Sequence, residues 1–154
     1  MSSDKSRYVL TLTDLERLLL STRSDFVAQM DKIKVYDGAL TENDSLMDRL
    51  IKRENVPRES IENAIQSARQ SYEAHLTAYE LIVKAKCIAQ LYLAVGDIDG
   101  TKKDAGDAYI LVHFPNMADN EQGILKRMHI LSHDIMQLGY YYRMFGQEGK
   151  SSKG

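Results

Sequence analysis

The stretch from Ile124 to Phe145, ILKRMHILSHDIMQLGYYYRMF, constrains this chain most, because it reads as a helix that is apolar on two opposed sides. Ile124, Met128, Leu131, Ile135, Leu138, Tyr142 and Phe145 follow one another at steps of four and three, the spacing that keeps one seam of a helix against a neighbour. At about 100° per residue, His129, His133, Met136, Tyr140 and Met144 fall on the other side, roughly 160° away. A helix at the surface of a soluble domain turns charged side chains to water, whereas one apolar on both sides is enclosed on both. Something must therefore cover the second stripe. Either another helix of the same chain does so, which makes this the central helix of a bundle, or another molecule does.

The remaining segments also favour helices. Thr13 and Glu16 have the spacing of a capping box, in which hydroxyl and carboxylate satisfy the spare amides of a helix start. A first helix is expected over 13–34, with Leu12, Leu15, Leu19, Phe26, Met30 and Ile33 along its seam and Asp37-Gly38 as its stop. A short helix over 43–54 follows. Pro57, tolerable only near a helix start, then opens a helix over 58–95, about 57 Å long at a rise of ~1.5 Å per residue. Its expected seam is Ile61, Ile65, Ala68, Tyr72, His75, Tyr79, Ile82, Lys86, Ala89 and Leu93, with His75 and Lys86 as polar interruptions that fix register or end the packing. Gly96 and Gly100 break the chain. AYILVHFP is ambiguous between strand and helix; with no second strand beyond the alternating YVLTLT to pair with, helix is the better reading. Pro115 to Asn120 reads as a loop before the last helix.

The fold expected is therefore all-α: an antiparallel helical bundle of four to five helices with one very long central helix. It should occupy 13–146, between a flexible segment over 1–12 and a disordered tail over 147–154.

Composition narrows the function classes. With 154 residues, 44% hydrophobic and 27% charged, the chain can bury a core of its own. A net charge of −2 gives no general pull toward nucleic acid, although Arg49, Lys52, Arg53 and Arg58 gather around Val56-Pro57. The lone Cys87 excludes an internal disulfide and fits a reducing, cytoplasmic setting. No apolar run approaches the ~20 residues that span a bilayer.

Several motifs invite chemistry. Asp97-Ile98-Asp99-Gly100-Thr101 after LYLAV resembles the nucleophile motif of haloacid-dehalogenase-type phosphatases, which would make Asp97 the nucleophile and Asp99 the acid or base. In that family it sits on the first strand of an α/β domain, and here helices precede it, so a Gly-rich turn whose acids cap the next helix is the expectation. Arg127 and His133 form an Arg-x5-His pattern that resembles the active motif of HEPN-type ribonucleases, small helical bundles that often act as dimers. That resemblance implies that Arg127 stabilises phosphate charge while His133 moves a proton. On a straight helix, however, six residues set the two side chains ~120° apart. His129 and His133 also have the four-residue spacing of a metal pair, without clustered Cys or a Glu-x-x-His context. Finally, Ile88-Ala89-x2-Tyr92-x3-Gly96 and Leu138-Gly139-x2-Tyr142-x3-Gly146 are similar to the first helix of tetratricopeptide repeats, at fifty residues apart rather than thirty-four.

No catalytic, cofactor or metal set stands out from these patterns. The expectation is a non-enzymatic interaction or scaffold protein that self-associates or docks a partner helix through His129, His133, Met136, Tyr140 and Met144. Tyr and Met suit such a face, since they give large and adaptable contact area. The alternative is a HEPN-like ribonuclease using Arg127 and His133.

Overall fold

A computed structural model describes residues 11–96 and 103–153, and of 145–153 the backbone alone. Among the described residues the architecture is all-α. In chain order it comprises α1 (Leu12–Ala39), α2 (Thr41–Ile51), α3 (Arg58–Val95), α4 (Ala105–His113) and α5 (Pro115–Lys153). The Asp97–Thr101 motif and almost all of the 1–12 segment lie outside the described residues.

Helix starts and stops follow local chemistry, though not always at the residues first singled out. α1 is capped by Thr11 rather than Thr13. The Asp14 amide donates to Thr11 Oγ1 at 3.1 Å and the Thr11 amide to Asp14 Oδ2 at 3.1 Å, a capping box displaced by two residues. Those bonds hold the Asp14 carboxyl below the usual carboxylate range. Asp37-Gly38 does not stop the helix. Gly38 has no positive φ, and α1 continues to Ala39, turning at Leu40, whose burial with Ala68 and Leu131 sets the corner. α2 ends in a Schellman motif: the Glu54 amide reaches Arg49 O at 2.9 Å, the Arg53 amide reaches Leu50 O at 3.0 Å, and Arg53 takes the left-handed φ of 58° usual for glycine. AYILVHFP is helical, as α4. Pro115 starts α5 directly, with no intervening loop, because a first-turn proline loses no intrahelical hydrogen bond. α5 keeps a helical backbone to Lys153, beyond Phe145.

Contacts divide the chain into two compact units, and α1, α3 and α5 each run through both. The first unit comprises residues up to Ala28 with Ala78–Gln122. Here Tyr92 donates to Glu16 at 3.0 Å, Lys86 Nζ lies 2.7 and 2.9 Å from the Glu121 oxygens, and the Arg23 guanidinium sits over the Phe114 ring. α4 lies directly on α3. The Gly106 amide donates to Gln90 Oε1 at 2.7 Å, and a Cβ at Gly106 would collide with the Lys86 backbone oxygen.

The second unit comprises Gln29–Thr77 with residues from Gly123 onward. Gln29 donates to Ala74 O and Ser71 to Asp37, an order of pairing that makes α1 and α3 antiparallel. One core cluster joins Leu46, Leu50, Val56, Ile61, Ala64 and Leu138; another joins Leu40, Ala68 and Leu131. α5 thus also runs antiparallel to α3 in this unit. Asn43 ties α2 to Ala64 O at 3.1 Å.

The seam of α3 differs from the one expected. Ile61, Ala68, His75, Ile82 and Ala89 are buried as anticipated, but the positions between them are Ala64, Ser71, Ala78 and Ala85, each at most 3% exposed. Ile65, Tyr72, Tyr79 and Lys86 are displaced to the flanks, where they are half-buried. Small side chains along the centre let neighbouring backbones come close, and larger ones close the sides. His75 is part of this interior. Its Nδ1–H donates to Ser71 O at 2.7 Å and its Nε2 lies 4.0 Å from Asp37, to which Arg127 also points at 3.8 Å.

Candidate functional site

α5 presents two faces of different fate. Ile124, Leu131 and Leu138, each seven residues from the last, are at most 3% exposed and form its inner seam, with Met128, Ile135 and Tyr142 half-buried beside them. The second stripe is open. Met136 is 71%, Tyr140 54% and Met144 41% exposed, and His129 and His133 are exposed as well. The enclosure on both sides expected of this helix is therefore not made within the chain by any described residue. The physical reason is topological: α2 and α3 pack on the inner seam, and no described element lies across the outer one.

Beside this stripe runs an open groove of about 550 Å³ between α3 and α5. Glu62, Ile65 and Arg69 line it from α3 and Ile135, Gly139 and Arg143 from α5. Gly139 is the opening in its floor, since a Cβ placed there would meet nothing within 4 Å. At one end the Tyr142 hydroxyl donates to Glu62 at 2.7 Å and accepts from Arg58 at 2.6 Å, with the Arg58 guanidinium over the ring. Tyr142 thus bridges Glu62 and Arg58.

The electrostatics of the open face are one-signed. From Gln122 to Met144 the exposed ionisable side chains are Lys126, His129, His133 and Arg143. The stretch has a single carboxylate, Asp134, which is half-buried and lines a small cavity with Arg127, Asn43 and Asp44. Burial pushes the Asp134 carboxyl up, against the pull of His133 and Arg127.

Arg127 and His133 are not brought together. Arg127 is directed at Asp37 and the small cavity, while His133 is in solvent, as the 120° offset requires. His129 and His133 share the open face, but among the described residues no three His, Cys, Asp or Glu side chains assemble a metal site. The two tetratricopeptide-like patterns also part company. Ala89 is fully buried, whereas the equivalent Gly139 faces open space.

The groove walls on α3 and the Asp37, Ser71, His75 and Arg127 cluster escape sequence reasoning, because they depend on how far one helix is shifted along another. The one available signal is Gly139, a glycine in mid-helix on an apolar stretch, which often has a packing or functional reason. Among the described residues no helix is long and apolar enough to cross a membrane. No protein-family model, curated protein or solved structure matches this chain.

Proposed function

We propose that this protein is a non-enzymatic helical interaction protein whose α5 outer face, with His129, His133, Met136, Tyr140 and Met144, is covered by another molecule, either a partner helix or a second copy. The observation that carries the reading is the exposure of Met136, Tyr140 and Met144 beside an open groove, on a helix whose other side is packed against α2 and α3. Three large apolar side chains in one row on a mid-helix surface exceed the scattered exposure usual in a monomer. Met and Tyr are also the types enriched in contact surfaces.

The test is light scattering across a concentration series, on protein isolated under mild conditions from cells that make it. Wild type should have a mass above the monomer, either as an oligomer or with a polypeptide in fixed stoichiometry. The Met136→Glu/Tyr140→Glu variant should run as a lone monomer with its helical circular dichroism retained. A wild type that is a lone monomer at every concentration, identical to the variant, overturns the reading.

A further inference from the structure

We infer that the occupant of this face is an amphipathic helix with acidic flanks, supplied by a different protein and lying in the α3/α5 groove across Gly139; the inference rests on the reading that the face is a contact surface. Three observations lead there. The groove runs between two helices and is about two helical turns long, since Ile135 to Arg143 rises roughly 12 Å, so its long axis matches that of a docked helix. Its floor is apolar at Ile65, Ile135 and Gly139, and the glycine leaves room for one bulky side chain of the incoming helix.

The third observation is charge. The chain carries a net −2, yet between Gln122 and Met144 the exposed basic side chains Lys126, His129, His133 and Arg143 have no exposed carboxylate among them. Across the groove Arg69 adds a further cation, and neither Arg69 nor Arg143 has an ion pair among the described residues. Of the acids on α3, Glu59, Glu62, Glu73 and Glu80, Glu62 alone lines the groove, where it accepts the Tyr142 hydroxyl at the end away from Arg69. A second copy seated face to face would bring cations against cations. A helix with an apolar stripe bordered by Glu or Asp would place carboxylates within reach of Arg69 and Arg143, and opposite potentials across an interface select the partner and speed its docking.

The experiment uses the full chain and three probes: a labelled 21-residue helical peptide with one leucine stripe flanked by glutamates, the same peptide with lysines in their place, and phosphatidylserine vesicles. Anisotropy should show the glutamate peptide binding at least ten-fold tighter than the lysine peptide. Gly139→Leu should weaken it ten-fold or more by filling the floor, and Arg69→Glu/Arg143→Glu should invert the preference. All three positions are solvent-accessible, so circular dichroism should report unchanged folding of both variants. Equal binding of the two peptides, or binding untouched by Gly139→Leu, overturns the inference. So does capture by the vesicles with neither peptide bound. If neither peptide binds and the chain is a dimer that Gly139→Leu dissociates, the occupant is a second copy: the inference falls and the contact-surface reading stands. If neither peptide binds and the chain is a lone monomer, both fall.

Discussion

α3 and α5 are nearly equal in length, 38 and 39 residues, and both repeat apolar side chains at steps of three and four, yet the protein treats them differently. Along α3 the buried line from Ile61 to Ala89 consists mainly of alanine, and Ile65, Tyr72 and Tyr79 are half-covered at its flanks. Along α5 the buried line consists of Met117, Ile124, Leu131 and Leu138, and a second set of large residues stands in water. Apolar periodicity therefore does not say which of two stripes on a helix is covered within the chain. Side-chain size separates the two cases. A helix gripped by its own neighbours can use alanine at the centre, while one with a single packed side needs leucine and isoleucine to fill the space.

The contrast can be broken by mutation. Leu131→Ala, at a position 1% exposed, should cost about 2–5 kcal/mol in urea unfolding. If the loss is negligible, the inner seam of α5 is not a core. Two glycines give the next effect with opposite signs. Gly106→Ala should destabilise by about 1–3 kcal/mol, because the methyl meets the α3 backbone. Gly139→Ala should stabilise by up to about 1 kcal/mol, because helix propensity improves and nothing is displaced. Equal effects at both sites would erase the difference between a packed and an open helix face.

Met136→Ala should change the stability of the isolated chain by less than about 0.5 kcal/mol, although its side chain is as large as many core residues. The smallest effect concerns Asp134. Burial holds its carboxyl above the ordinary aspartate value, so the folded state keeps the proton more tightly than the unfolded chain does. Its contribution to stability is therefore most favourable below 3.8 and declines as pH rises through the elevated value. Asp134→Asn should flatten that part of the stability profile in mildly acidic buffer. An unchanged slope would mean that the group is effectively solvated.

Much of this fold is legible in the sequence. Pro57 and Gly96 bracket α3, and the bounds 58–95 follow from them. Every seventh position of its seam is also readable, because those residues lie at the centre of the stripe whichever neighbouring set is chosen. The alternate positions are not. Ile65 and Tyr72 are more apolar than Ala64 and Ser71, and only the close approach of two backbones makes the smaller residues central. Asp37-Gly38 and Pro115 misled for a related reason: turn chemistry is a local preference, and the burial of Leu40 and Phe114 outweighs it. The Asp37, Ser71, His75 and Arg127 cluster was out of reach, because it joins three helices whose lateral register no single segment encodes. For the open face, the five residues are visible as a stripe, and their exposure emerges only when no described helix is found across them.

The alanine-lined interior of α3 has a consequence for kinship. Where Ala64, Ala68, Ser71, Ala78, Ala85 and Ala89 stand, each at most 3% exposed, a larger side chain would have to displace a neighbouring helix, a limit that the solvent side does not share. Ancestry in proteins of this architecture would be carried by a rhythm of small volumes along one rod, and a profile scoring bulk at those places would detect descent after overall identity has faded.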